Sequence, residues 1–189
     1  MRIITGLARG SRLKAPKGQG TRPTADRVKE SLFNILGRKT AGRSVLDIFA
    51  GTGALGLEAL SRGAESAVLV DVATAKLLRE NAEHAHLEAS TEILGVDAFV
   101  ALSRLAAQGR SFGLIFCDPP YHMGLWQRTL AVLDDSGLLS HEGILVVEHG
   151  ADEIDLPELK KLSCVLNKRY GSTTQLSFFQ QRDYLAEFD

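Results

Sequence analysis

Cysteine is scarce in this 189-residue chain, with Cys117 and Cys164 alone, both in apolar, strand-like surroundings. Two such residues cannot supply a disulfide framework, so they read as free thiols of a reducing compartment. Long hydrophobic runs are missing too, which excludes a membrane-spanning helix of about 20 apolar residues. The stretch MRIITGLARGSRLKAPK has no long apolar core and no small-residue cleavage pattern, so a cytoplasmic rather than secreted protein is expected. Charge of one sign is lacking: 22 Lys and Arg stand against 23 Asp and Glu, for a net charge of −1. The histidines at 84, 86, 122, 141 and 149 show no ligand spacing, and no metal is expected. What is present is ordinary for a globular domain, 44% hydrophobic and 24% charged, and long enough to bury its own core.

The near-neutral total hides an asymmetry. Residues 1–30 carry Arg2, Arg9, Arg12, Lys14, Lys17, Arg22, Arg27 and Lys29 against Asp26 and Glu30, and the remainder is net acidic. A basic arm on an acidic body is the distribution of a polyanion binder. Residues 1–20 read as that arm or as a small hairpin. Thr21-Arg22-Pro23-Thr24 reads as a turn with Thr24 as N-cap, followed by an amphipathic helix over 25–37.

From Ser44 onward, strands and helices alternate. Strands are expected at Ser44–Ile48, Ser66–Asp71, Thr91–Val96, Phe112–Cys117 and Gly143–Glu148. Helices are expected at Leu55–Arg62, Thr74–His86, Phe99–Gln108 and Leu125–Asp135. Near-continuous apolar strands belong in a parallel sheet covered on both faces. Val165–Tyr170 and Gln175–Phe179 flank GSTT with no helix between, which predicts an antiparallel hairpin at the sheet edge. The fold class is therefore α/β: a Rossmann-like, doubly wound, mostly parallel seven-stranded sheet with an antiparallel C-terminal hairpin and a small N-terminal extension.

The stretch VLDIFAGTGALGLEAL (45–60) is strand, loop and helix. Gly51 and Gly53 permit a tight turn and close approach of a ligand to a helix N-terminus. Gly51-x-Gly53-x-x-Gly56 with Asp71 twenty residues on also fits a dinucleotide fingerprint. Asp47 pulls away from that reading. A carboxylate repels a pyrophosphate but attracts the cationic methionyl end of S-adenosylmethionine. Asp71 would then accept from the ribose hydroxyls and Asp97, in GVDAF, would face the adenine, three acids after three successive parallel strands.

Asp118-Pro119-Pro120-Tyr121 follows the fourth strand. An amino group on a base is a poor nucleophile, because its lone pair is delocalised into the ring. Methylating it requires acceptors that hold its hydrogens, and Asp118 with the Pro119 carbonyl can be those acceptors. The prolines stiffen the loop and have no N–H to compete. Tyr121 can stack on the base, worth about 1–3 kcal/mol. A base buried in a duplex must be flipped to enter such a pocket.

With these motifs in order, the chain resembles the class I S-adenosylmethionine-dependent methyltransferases, and more closely the bacterial 16S rRNA guanine-N2 methyltransferases of the RsmD type. The resemblance covers nearly the whole chain: RIITGLARGSRLKAP, TRPTADRVKESLFNIL, VLDIFAGTGALGLEALSRGA, FCDPPY, GILVVEHG and RYGSTTQLSFF. It implies residues 21–189 as the methyltransferase domain, within one compact domain overall. It implies cofactor contacts at Thr24, Asp47, Phe49, Gly51, Thr52, Gly53, Asp71 and Asp97. Catalytic roles fall to Asp118, Pro119 and Tyr121, and substrate contacts to Arg9, Arg12, Arg22, Arg27 and Pro120. The family commonly has glutamate and then a charged pair after the second strand, where this chain has VDVATAK. The implied partner is ribosomal RNA, in a small-subunit particle or assembly intermediate, met by a monomer. The alternatives are an adenine-N6 methyltransferase, a protein glutamine-N5 methyltransferase (which usually has asparagine in place of Asp118), an NAD-dependent oxidoreductase and a non-catalytic RNA-binding module.

Overall fold

Short apolar runs form most of the strands, and several stop where Asp71, Gly95, Asp118 or Gly171 breaks the pattern. The computed structural model describes residues 1–16 and 23–184, and the backbone alone for 23–25. Thr21, Arg22 and the Thr24 side chain lie outside the described residues, while Pro23 and Thr24 are already helical, so the helix begins two residues earlier than expected and Thr24 lies inside it. The strands are β1 (Ser44–Ile48), β2 (Ser66–Val70), β3 (Thr91–Leu94), β4 (Phe112–Cys117), β5 (Leu139–Gly150), β6 (Leu162–Tyr170) and β7 (Thr174–Gln181). The helices are α1 (Pro23–Leu36), α2 (Ala54–Ser61), α3 (Ala75–His84), α4 (Ala98–Ala107) and α5 (Leu125–Ser136). The sheet has seven strands in the order β3-β2-β1-β4-β5-β7-β6, which is the expected mixed α/β architecture with its edge hairpin. The chain divides into two compact units, Met1–Ala98 and Phe99–Asp189.

In the first unit β1, β2 and β3 are parallel, with Ile48 opposite Val70 and Val70 opposite Leu94. α2 is buried almost all round, Glu58 included, as befits a helix that is apolar on every face. The basic N-terminal segment is a docked hairpin. Arg2 bridges Arg12 antiparallel, while Ile3, Ala8 and Leu13 turn inward. Its tip is fixed to the end of α2, where Leu7 N–H donates to Ser61 O at 2.8 Å and Ala8 N–H to Ser61 Oγ at 2.9 Å. At Gly6 (φ +89°) a Cβ would sit 1.7 Å from the Ser61 carbonyl oxygen, so no other residue fits this contact.

In the second unit β4 and β5 are parallel, whereas β7 runs antiparallel between β5 and β6. Several strand ends in both units differ from expectation: β2 stops at Val70, β6 begins at Leu162 and β7 runs from Thr174 to Gln181. β3 stops at Leu94, so Asp97 lies in the loop before α4 rather than at a strand end. β5 runs four residues earlier and two later than its apolar core, because Leu139 pairs with Phe112 and residues 149–150 pair with β7. Ladder partners, not local hydrophobicity, decide those ends. Cys117 is buried, but Cys164 is only half-buried at the β6 irregularity. Among the described residues no helix is long and apolar enough to cross a membrane, and no group of three or more His, Cys, Asp or Glu could hold a metal ion.

Candidate active site

In the first unit, the candidate site is the loop between β1 and α2. Phe49 leaves the strand in a left-handed conformation (φ 64°), which is rare for a bulky residue, and strain of this kind clusters at ligand-binding turns. Ala50 N–H then donates to Val70 O, and Gly51 N–H to Asp71 Oδ2 at 3.0 Å. The other oxygen of Asp71 accepts from Ala73 and Thr74 N–H, both at 2.9 Å, at the start of α3. Asp71 therefore locks the glycine loop to the next helix. Three donors leave a carboxylate with lone-pair capacity for a ligand hydroxyl.

The three glycines do different work. A Cβ on Gly51 would face open space, with nothing nearer than Phe49 O at 4.0 Å. On Gly53 it would press on Leu57 and Leu78 at 3.0 and 3.1 Å, and on Gly56 it would overlap Leu69 Cδ2 at 2.2 Å. Gly51 thus has an open side, while Gly53 and Gly56 pack closely against neighbouring side chains. Thr52 lies beside them, its carbonyl accepting from Asn81 Nδ2 at 2.9 Å. Asp97 is exposed.

Asp47 is only 1% exposed, and its Oδ2 accepts from Gly56 N–H at 2.9 Å. It clamps the helix to the strand from beneath. Burial pushes its carboxyl up to about 7, with the Gly56 N–H opposing and the Asp71 charge adding. In the folded state it holds a proton that the unfolded chain has lost. Its contribution to stability is therefore full below about pH 4 and is lost as pH rises through about 7. Asp47→Asn keeps an acceptor for Gly56 but cannot ionise. Its denaturant midpoint should fall less than wild type's between about pH 5 and 8, and equal slopes would refute this assignment.

Two residues of this unit were not singled out from the sequence. Asn81 is fully buried; its Nδ2 donates to Thr52 O and Lys14 O, and its Oδ1 accepts from Lys14 N–H at 2.8 Å. It joins the glycine loop to the N-terminal segment. Asn81→Ala should cost about 1–3 kcal/mol and raise KM for the cofactor, as read by thermal melts and titration; unchanged values of both would rule out that joint role. Glu58 is the second. Its carboxylate accepts from Ile4 N–H at 2.7 Å, Thr5 N–H at 3.1 Å and Arg62 Nε at 2.8 Å, with Lys29 Nζ at 3.5 Å. Lys29 is 3% exposed and also donates to Arg2 O. It belongs to the interior and not to the basic face, whereas Arg9, Arg12 and Arg27 are exposed. Burial pulls the Lys29 ammonium below its usual range, and Glu58 is the first of the charges that oppose this.

In the second unit, the candidate residues follow β4. Pro119 is buried, Asp118 and Tyr121 are half-buried, and Pro120 is exposed. The Tyr121 hydroxyl donates to Glu148 Oε1 at 2.7 Å and shares a second hydrogen bond with Thr174 Oγ1 at 3.1 Å. Burial, then Glu148, hold this phenol above its ordinary pKa, so it stays neutral. Burial also raises the Glu148 carboxyl, which the Tyr121 hydrogen bond opposes. The ring is thus fixed by its outer end. Glu148 and Thr174 were not predicted, although an acid ending the apolar run GILVVE was the visible signal. His122 follows with φ 62° and meets Tyr121 edge-on at 6.3 Å.

A glycine loop locked by the second strand's acid, and an Asp-Pro-Pro-Tyr turn after the fourth strand, define a methyltransferase of the α/β class. The family model described as "Conserved hypothetical protein 95" matches residues 1–180. Ribosomal RNA small subunit methyltransferase D of Escherichia coli (strain K12) is 41% identical over 149 residues, 78% of this chain and 74% of that protein. The chain belongs to this family, the RsmD-type methyltransferases. A solved structure of the Escherichia coli protein yhhF superposes with a TM-score of 0.81 at 38% identity, covering 96% of this chain and 97% of that one. The fold also matches SMU.776 complexed with SAH, with a TM-score of 0.68 at 18% identity over 84% of this chain and 50% of that one.

Proposed function

We propose that the chain transfers a methyl group from S-adenosylmethionine to the exocyclic N2 amine of one guanine in small-subunit ribosomal RNA, in a subunit particle or assembly intermediate. The observation that carries this reading is the Asp118–Tyr121 turn, with its tyrosine fixed by Glu148 and Thr174. Gly51 supports the cofactor reading, since its left-handed backbone (φ 56°) and open side leave room for a ligand to approach the loop. When bound, S-adenosylmethionine supplies an electrophilic methyl group on a sulfonium.

In this account Phe49, Gly51, Thr52 and Gly53 shape the cradle, Asp71 accepts from the ribose hydroxyls and Asp97 meets the adenine edge. Asp47 acts from below through Gly56, and Thr24 completes the set. Asp118 and the Pro119 carbonyl hold the two N2 hydrogens, which turns the nitrogen lone pair out of conjugation and toward the methyl carbon. The proton released from N2 after transfer passes to Asp118 or to water. Tyr121 and Pro120 bound the base, so most of the rate gain is positioning. Arg9, Arg12, Arg22 and Arg27 meet the RNA backbone.

Replacing the target guanine by inosine, which lacks only the N2 amine, tests the reading. Transfer should vanish with inosine. Transfer that persists would move the acceptor to another atom, and transfer to adenine would favour the N6 alternative.

A further inference from the structure

A cavity of about 240 Å³ opens where the N-terminal hairpin meets the first turn of α1, lined by Met1, Arg2, Arg12, Leu13 and Asp26. Two features of it are costly to the fold. The Asp26 Oδ1 atom is buried and has no hydrogen-bond partner, and an unsatisfied buried acceptor destabilises. Arg2 and Arg12 are bridge partners in the hairpin. Directly opposite residues of an antiparallel pair share a face, and like charges there repel. Both arginines are exposed. A ligand that brings a hydroxyl donor next to an anion would relieve both costs. An RNA nucleotide carries that pair in its ribose 2′-hydroxyl and adjacent phosphate, whereas DNA lacks the donor.

We propose that Asp26 accepts the 2′-hydroxyl of one substrate nucleotide while Arg2 and Arg12 take the neighbouring phosphate, so that this cavity selects RNA over DNA. The inference rests on the RNA substrate proposed above. The Arg2 side of the cavity is held in place by Lys29, whose Nζ donates to Arg2 O at 2.6 Å.

The test is fluorescence anisotropy with the full chain. The probes are a short guanine-containing single strand of small-subunit rRNA sequence, its all-2′-deoxy twin and its 2′-fluoro twin, which keeps RNA-like sugar pucker but cannot donate. Wild type should bind the RNA about tenfold or more tighter than either twin, as expected of a hydrogen bond to a charged acceptor. Asp26→Ala should erase that preference, and Asp26→Asn should keep part of it through the amide oxygen. Arg12→Met should weaken all three probes alike and lower the salt slope by about one. Equal binding of the three probes by wild type, tight binding of the 2′-fluoro strand, or a preference that survives in Asp26→Ala would each overturn the proposal. The 2′-fluoro comparison needs no variant and so stands even where Asp26→Ala fails to fold. A preserved RNA preference with no methyl transfer to that strand would support the cavity assignment and count against the proposed reaction.

Discussion

Asp118→Ala lowers kcat for methyl transfer by about 10²–10³-fold while leaving cofactor affinity near wild type. The expectation follows from the role proposed for the residue. In the ground state the N2 amine is planar and its hydrogens are weakly acidic. As the C–N bond forms, the nitrogen gains positive charge and its hydrogens become strong donors. An acceptor held at that point binds the transition state better than the substrate, so its loss falls on kcat rather than on KM. Asp118→Asn should be nearly as damaging, since an amide oxygen carries no charge to meet the developing cation. Rapid-mix transfer assays beside calorimetric cofactor titration separate the two effects. A variant with normal kcat and a raised KM would assign Asp118 to binding alone.

Glu58→Ala is the largest stability loss expected. Its carboxylate accepts from two hairpin N–H groups and from Arg62, and stands 3.5 Å from Lys29 Nζ. Glu58 is 0% and Lys29 3% exposed. Removing the acid leaves a buried ammonium without its counter-charge and two hairpin donors without an acceptor, a loss of about 3–5 kcal/mol. Urea unfolding would measure it, with proteolysis of the N-terminal segment as a local readout. Lys29→Met alone should cost less, since Arg62 remains beside Glu58. A loss under about 1 kcal/mol for Glu58→Ala would mean that this cluster behaves as a surface pair.

How much of this was readable beforehand depended on the range of each interaction. β1 and β4 fall on their predicted bounds, because each is an apolar run bounded by turn-forming residues. The pairing of Asp71 with the glycine loop was half legible. The twenty-residue spacing was visible, but the Gly51 contact depends on the register that sets Ile48 opposite Val70. The burial of Asp47 was not legible, since a sequence shows an acid but not how tightly Gly56 and Leu69 close around it. Lys29 was counted with the basic face because charged helix residues are mostly solvated. One clue pointed inward: Glu58 is the lone charge in the apolar helix ALGLEALS, and a charge there needs a buried partner. Asn81, Glu148 and Thr174 act through contacts of 27 to 67 residues' separation, which no local pattern encodes.

The most direct measurement is a methyl-transfer assay with labelled S-adenosylmethionine, using small-subunit particles and naked ribosomal RNA from a strain that lacks this protein, followed by nucleoside analysis of the product. The account predicts label in N2-methylguanosine, and none with Asp118→Ala. Label in N6-methyladenosine, or no label in either RNA substrate, would contradict it.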